Sequence, residues 1–219
     1  MSFDNKITIM PFVSLYKNVF QDVDSLFDIV KNFQPSRLIA EWEPWYELGS
    51  RTKIENTHLN ELDENELKHK YLFETFNKAI WNAYNDYIDT WSDKEIIDKY
   101  INKNKAYHQD WKYVFGNFDV NWNDFKSSNS KWNMGAIEFL QHDHTKRSHR
   151  DLAIGYHIDA FNHKDFAGPK AILSSTVYLN DDYTGGHISF LNEFTDEIIN
   201  YKPQKGDLIV FPSGKPFFH

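Results

Sequence analysis

The sequence contains no cysteine, which rules out disulfide bonds within the chain and fits a reducing compartment. It also has no apolar run near the roughly 20 residues that a membrane-spanning helix needs, and its N-terminus lacks the charged and then apolar pattern of a secretory signal. Only four residues are arginine and the net charge is −8, which argues against a nucleic acid backbone as the main partner. These absences predict a cytoplasmic protein that neither spans a membrane nor binds nucleic acid.

Internal repeats and long low-complexity stretches are also absent, so we expect the 219 residues to form a single domain, 1–219, with a sizeable core. Seven tryptophans and an aromatic content of 17% are more typical of packing in such a core than of a cofactor site. We interpret residues 1–110 as a mainly helical support region and residues 111–219 as the β-rich part of the domain.

Three segments of the first half show helical patterns. They are residues 23–33, 63–91 and 92–101. The last two open with capping boxes, Asp63 with Glu66 and Ser92 with Glu95. The longest segment repeats apolar residues at spacings of three and four, which predicts one buried stripe made of Phe73, Phe76, Ile80, Tyr84, Tyr87 and Trp91.

Short strand patterns separated by turn residues follow in the second half. The clearest are residues 171–180, 187–191, 197–201 and 208–212, with a further candidate at 136–140. The first alternates with period two, so that a half-polar face carries Ile172, Ser174, Thr176 and Tyr178, and an apolar face carries Leu173, Ser175, Val177 and Leu179. This pattern favours a barrel with a polar site inside and helices outside, and the even strand spacing indicates a sandwich or jelly roll. Residues 37–58 have no clear period and could form a loop over the site or a pair of strands.

A His-x-Asp pair, His157 and Asp159, precedes the first of these strands, and another histidine, His219, follows the last. Two histidines and one carboxylate in this order are the sequence form of a facial triad that binds Fe(II) and leaves three coordination positions free. The tripeptide alone carries little weight, because composition predicts about one chance match. The other match, at His108 and Asp110, has no such strands after it and no histidine about sixty residues later, so we interpret it as a surface match.

Five ordered elements give the segment from His157 to His219 a family resemblance. They are His157-x-Asp159, the strand end Val177-Tyr178-Leu179-Asn180, Gly185-Gly186-x-x-x-Phe190, the segment Lys205-Gly206-Asp207-Leu208-Ile209-Val210-Phe211-Pro212-Ser213, and His219. The segment resembles the 2-oxoglutarate, Fe(II)-dependent dioxygenases, in particular the prolyl-4-hydroxylase-like branch. The resemblance implies an α+β fold, a double-stranded β-helix (jelly roll) backed by the N-terminal helices, with residues 111–219 as its catalytic core.

The resemblance also implies roles for four residues. His157, Asp159 and His219 would bind iron, and Tyr178 would reach the distal carboxylate of 2-oxoglutarate. The implied cofactors are Fe(II) and 2-oxoglutarate, with ascorbate as an optional reductant, and the implied partners are O2 and a small-molecule or peptidyl substrate. Peptidyl proline, another protein side chain, a free amino acid and a small metabolite are all compatible substrates.

The sequence departs from the family pattern at two points. The family has an arginine or lysine about ten residues after the distal histidine, where it holds the far carboxylate of 2-oxoglutarate, whereas this sequence stops at His219. We therefore expect the chain to be a fragment without the last strands of the barrel. The family also has a tyrosine on the strand before His-x-Asp, and the candidate strand 136–140 has none.

Three alternative interpretations stay open. The polar insert 141–151 contains His142, His144 and His149, which could bind a metal, although neighbouring lysine and arginine side chains favour a solvated loop. The domain could also be a jelly-roll binding module without catalysis, or an iron or zinc enzyme that uses the same triad without 2-oxoglutarate. His163 and His187 are closer to the proposed site, and we interpret them as an exposed loop residue and a structural histidine.

Overall fold

The computed structural model describes residues 5–32, 46–47, 64–91, 94–97, 138–139, 173–192, 195–213 and 219. The helices in these ranges are α1 (Val23–Lys31), α2 (Glu64–Trp91) and α3 (Lys94–Ile97). The strands are β1 (Lys6–Met10), β2 (Val13–Tyr16), β3 (Tyr46–Glu47), β4 (Glu138–Phe139), β5 (Leu173–Val177), β6 (Ile188–Asn192), β7 (Glu197–Tyr201) and β8 (Leu208–Pro212). Within this described part of the chain, no helix is long and apolar enough to cross a membrane.

Four strands form an antiparallel main sheet in the order β1-β2-β8-β5. β2 pairs with β8 so that Leu15 lies opposite Ile209, and β8 pairs along its whole length with β5. β6 and β7 form a second antiparallel pair, and β3 and β4 form a third pair of two residues each. Mixed helix and antiparallel strand content is compatible with the predicted α+β class, and the jelly roll stays a prediction.

The sequence patterns located most of these elements. β7 and β8 have the predicted bounds, β6 is displaced by one residue, and β5 occupies the centre of the predicted segment 171–180. α2 ends at Trp91 as predicted, and α1 ends at Lys31 within the predicted segment 23–33. The undecided segment 37–58 contributes β3, whose partner β4 lies inside the predicted strand 136–140. The capping residues Asp63 and Ser92 lie outside the described residues.

The β1–β2 hairpin is an element that sequence analysis did not identify. Pro11 and Phe12 form its two-residue turn, and Phe12 has a φ of 65°. A positive φ at the second central position of a turn is usually taken by glycine. Here the strain is offset by contacts of Phe12 with α2. Its ring lies 4.9 Å from that of Trp91, and its carbonyl oxygen accepts a 2.8 Å hydrogen bond from the Tyr87 hydroxyl.

α2 covers one face of the main sheet. Five of the six predicted stripe residues, Phe73, Phe76, Ile80, Tyr87 and Trp91, are at most 7% exposed, and the sixth, Tyr84, is half-buried. Two polar contacts fix the helix on the sheet. The Trp91 Nε1–H donates to Ser14 Oγ at 2.9 Å, and the Tyr84 and Ser175 hydroxyls share a 3.0 Å hydrogen bond. Because Ser14 and Ser175 both pair with Val210, the side chains of one sheet face point toward α2.

A polar network joins the N-terminal hairpin to the same helix. The Asp86 carboxylate on α2 accepts hydrogen bonds from Lys6 Nζ at 2.7 Å and from the buried Tyr16 hydroxyl at 3.0 Å. Lys6 Nζ also donates to Thr90 Oγ1 at 2.7 Å. Burial and the nearby Asp86 carboxylate both raise the pKa of Tyr16 well above its ordinary value, so its hydroxyl stays a donor at neutral pH.

Removing this carboxylate should destabilise the protein. We expect Asp86→Ala to lower the free energy of unfolding by about 2 to 3 kcal/mol, because the buried Tyr16 hydroxyl loses its acceptor and the Lys6 ammonium loses its charged partner and keeps only Thr90 Oγ1. The control is Glu74→Ala on the same helix. Glu74 is exposed and lies 4.0 Å from Lys70, so the loss there should stay within about 0.5 kcal/mol. Urea unfolding of both variants measures the difference, and equal losses would show that the network contributes nothing.

Candidate active site

The second face of β5 points away from α2 and carries polar side chains. Ser174 lies opposite Phe211, and Thr176 lies opposite Ile209. The Ser174 and Ser213 hydroxyls share a 2.8 Å hydrogen bond, and Ser213 is fully buried. Alternate side chains of a strand lie on the same face, so the Tyr178 side chain, two residues after Thr176, lies on this face as well. We call this surface the inner face of the main sheet.

His219 lies on the inner face within a cluster of aromatic rings. Its ring centroid is 4.4 Å from that of Phe211 on β8 and 5.9 Å from that of Phe190 on β6. The two phenylalanine rings are themselves 5.4 Å apart in an edge-on arrangement. The cluster therefore connects the main sheet with the β6–β7 pair, and its apolar rings fix where the half-buried imidazole can lie.

Tyr178 is held at the end of β5 by its backbone. Its N–H donates to the Asp207 carbonyl at 2.9 Å, and its own carbonyl accepts from the Gly206 N–H at 2.8 Å. Burial is the main reason why the pKa of Tyr178 lies well above its ordinary value, and nearby Tyr183, Asp207 and Tyr201 add to the effect. No described residue hydrogen-bonds the Tyr178 hydroxyl. It is therefore a protonated group that can donate to a ligand.

The turn before β8 brings a buried carboxylate next to Tyr178. Gly206 has a φ of 85°, and both Gly206 and Asp207 bond the backbone of Tyr178, so two residues oppose one in a β-bulge. The Asp207 side chain is 1% exposed. Its Oδ2 accepts hydrogen bonds from the Tyr201 hydroxyl at 2.6 Å and from the Gln204 N–H at 2.9 Å. The carboxylate thus fixes both the turn and the end of β7.

A second turn, residues 181–186, lies beside this one through Tyr183. The Tyr183 hydroxyl donates to the Pro203 carbonyl at 3.4 Å, and Lys202 Nζ donates to the Tyr183 carbonyl at 2.9 Å. The Lys202 ammonium also lies 5.4 Å from the centroid of the Tyr183 ring. Gly186 leaves the space for this ring, since a Cβ there would be 2.5 Å from Tyr183 Cε2.

The two glycines of this turn give a matched pair of variants. Gly185 and Gly186 have φ values of 77° and 66°, so alanine strains the backbone at either position. Only at position 186 would the new methyl group also displace Tyr183, because nothing lies within 4 Å of a Cβ at position 185. We expect Gly186→Ala to lower the free energy of unfolding by about 1 kcal/mol more than Gly185→Ala. Denaturant unfolding tests this, and equal losses would mean that the Tyr183 ring does not depend on Gly186.

Two of the four predicted site residues lie in the described part of the chain. His219 contacts Phe211 on the inner face of the main sheet, and strand alternation along β5 puts Tyr178 on the same face. His157 and Asp159 lie outside the described residues, so the triad stays a prediction. Among the described residues, no group of three potential metal-binding side chains occurs.

The other histidines considered above add no site within the described residues. His187 is exposed just before β6. Those at positions 108, 142, 144, 149 and 163 lie outside the described residues.

Sequence reasoning did not single out several residues around Tyr178 and His219. Tyr201 and Asp207 were known only as a strand end and a turn residue, and Ser213 only as part of a motif. Tyr201 and Asp207 come together because a six-residue turn joins β7 to β8. No sequence pattern shows their hydrogen bond directly. Phe190 and Phe211 were motif residues without an assigned role, and their ring contacts with His219 supply one.

Comparison with known families gives a match over this part of the chain. Residues 138–219 match the model of the 2OG-Fe(II) oxygenase superfamily. The matched range begins in β4, includes β5 to β8, and contains all four predicted site residues. No curated protein and no solved structure matches the chain significantly. The family match supports an oxygenase-type function that uses O2, and it implies Fe(II) and 2-oxoglutarate.

Proposed function

We propose that the chain carries the site of a 2-oxoglutarate-dependent Fe(II) dioxygenase that hydroxylates an unactivated C–H bond of a protein side chain or a small molecule. The observation that carries this proposal is the family match over residues 138–219, which spans the ordered motifs from His157 to His219. The position of Tyr178 and His219 on one sheet face supports it, because a chelated cosubstrate must contact both the metal and a distal donor.

The proposed iron ligands are His157, Asp159 and His219. Two imidazoles and one carboxylate fit Fe(II), which accepts nitrogen and oxygen donors and needs open positions for its other ligands. When bound, Fe(II) would couple the oxidative decarboxylation of 2-oxoglutarate by O2 to hydroxylation of the substrate. The contribution of the chain here is positional. Phe211 and Phe190 contact the His219 ring and restrict where it can lie.

Tyr178 is the proposed donor to the far carboxylate of 2-oxoglutarate. Its hydroxyl remains protonated at neutral pH, since burial and the neighbouring Tyr183, Asp207 and Tyr201 raise its pKa. A neutral hydroxyl can donate a charge-assisted hydrogen bond to an ionised carboxylate. We place the chain in the prolyl-4-hydroxylase-like branch on the order of its motifs, with a peptidyl or small-molecule substrate, O2 as the second substrate and ascorbate as an optional reductant.

The test starts with the whole chain under anaerobic conditions. Fe(II) together with 2-oxoglutarate should give a weak visible charge-transfer band, and admission of O2 should release succinate and CO2 in step with the loss of 2-oxoglutarate. A folded protein that gives neither the band nor succinate would contradict the proposal and favour a non-catalytic binding module. Metal binding without any effect of 2-oxoglutarate would favour a metal enzyme of another kind.

A further inference from the structure

A buried carboxylate beside the proposed cosubstrate donor has the wrong charge to accept the carboxylate of a ligand. Asp207 lies opposite Tyr178 in the bulge, is 1% exposed, and is near enough to affect the pKa of Tyr178. A buried carboxylate with too few donors would repel an incoming ligand carboxylate and would accept a hydrogen bond from any hydroxyl in reach. Its hydrogen bonds therefore decide whether Tyr178 is available to a ligand.

Two donors within the fold already satisfy Asp207. The Tyr201 hydroxyl and the Gln204 N–H both donate to Oδ2, at 2.6 and 2.9 Å. The Gln204 N–H belongs to the turn itself, whereas the Tyr201 hydroxyl comes from a side chain on the neighbouring strand. Within the described part of the chain, Tyr201 is thus the only side chain that donates to this carboxylate, and a substitution there removes one bond and leaves the turn.

We propose that Tyr201 is a positioning residue for the cosubstrate site: its hydroxyl satisfies the Asp207 carboxylate, so that the Tyr178 hydroxyl is left free to bind the far carboxylate of 2-oxoglutarate. This inference rests on the proposed function. It adds a pair of residues, Tyr201 and Asp207, that decides how well a ligand with a second carboxylate is accepted.

The ionisation behaviour of the two tyrosines agrees with this division of roles. Burial is the largest cause of the raised pKa of Tyr201, followed by its hydrogen bond to Asp207. Burial and the nearby phenols and carboxylate raise the pKa of Tyr178, whose hydroxyl makes no hydrogen bond to any described residue. Both phenols stay protonated at neutral pH, so one can donate to Asp207 while the other donates to a ligand.

The decisive experiment measures ligand dissociation constants in the whole chain loaded with Mn(II), which replaces Fe(II) without turnover. Isothermal titration with 2-oxoglutarate should show about tenfold weaker binding to Tyr201→Phe than to the unchanged protein, the scale of one hydrogen bond to a charged group. 2-Oxopentanoate has the same length but a methyl group in place of the far carboxylate. Its affinity should be the same in both proteins.

Two further variants separate charge from general damage. In Asp207→Asn the charge is gone, so adding Tyr201→Phe to it should change the 2-oxoglutarate dissociation constant by no more than about twofold. Tyr183→Phe is the matched control, because it removes a neighbouring phenol hydroxyl that donates only to the Pro203 carbonyl, and its affinity should be unchanged. Thermal unfolding of each variant confirms that it is folded.

Each outcome of these titrations leads to one conclusion. An unchanged affinity of Tyr201→Phe for 2-oxoglutarate, or an equal loss for 2-oxopentanoate, would overturn the positioning role and leave the proposed function intact. An unchanged protein that binds no 2-oxoglutarate at all would overturn both.

Discussion

His219→Ala should abolish 2-oxoglutarate turnover and weaken Fe(II) binding by more than about 100-fold. Even residues that only support a metal ligand typically change affinity by about 10 to 100-fold, so loss of a ligand itself should exceed that range. Two remaining ligands would leave the geometry of the metal undefined. The site of the substitution is half-buried beside Phe211 and Phe190, so the fold should survive with a small cavity. Metal affinity by competition with a chelating dye and succinate release measure the two effects.

The matched control is His187→Ala. His187 is exposed before β6, and its removal should leave iron affinity and turnover unchanged. The same losses as for His219 are expected for His157→Ala and Asp159→Ala, since all three residues are proposed to bind one ion. If His219→Ala kept full iron affinity while His157→Ala lost it, the third ligand would have to be another residue.

The elements that the sequence predicted well are those with purely local causes. β7 and β8 are joined by a turn in which Gly206 takes a positive φ and the Asp207 side chain accepts from the Gln204 N–H. Both features are encoded within a few residues, and the strand bounds follow from them. The same holds for α2, whose stripe of apolar residues requires one buried face.

The β1–β2 hairpin could not be predicted in this way because its causes are distant in the sequence. Its turn places Phe12, an unfavourable residue for a positive φ, where contacts with Tyr87 and Trp91 on α2 offset the strain. β2 has all its residues buried, so it lacks the alternation that marks a strand with one exposed face. Its partner β8 lies almost two hundred residues further along the chain.

The candidate site shows the same difference between local and distant causes. The motif order predicted Tyr178 and His219, and the register of β5 with β8 places them on one sheet face. The hydrogen bond from Tyr201 to Asp207 depends on two strand ends that meet only after the turn closes, so no spacing rule reveals it. The residues proposed to carry the chemistry could therefore be named from the sequence, and the residues that contact them could not.

Tyr178→Phe should weaken 2-oxoglutarate binding by about 10 to 100-fold, because a hydrogen bond to a charged group contributes about 1.5 to 3 kcal/mol. The change deletes one oxygen atom and keeps the ring that packs at the end of β5. The backbone bonds of residue 178 to Gly206 and Asp207 do not involve the side chain, so the bulge should persist. The measurement is the dissociation constant for 2-oxoglutarate in the Mn(II)-loaded chain, together with the KM in turnover with Fe(II).

Tyr84→Phe provides the matched control for this change, since the Tyr84 hydroxyl contacts the same strand from its other face. It shares a 3.0 Å hydrogen bond with Ser175, whose side chain points toward α2 and away from the inner face. Its loss should lower the free energy of unfolding by about 1 kcal/mol and leave 2-oxoglutarate affinity unchanged. Equal affinities for Tyr178→Phe and the unchanged protein would remove Tyr178 from the cosubstrate site. If both variants lost affinity alike, the cause would be the packing of β5, because the two hydroxyls lie on opposite sides of the sheet.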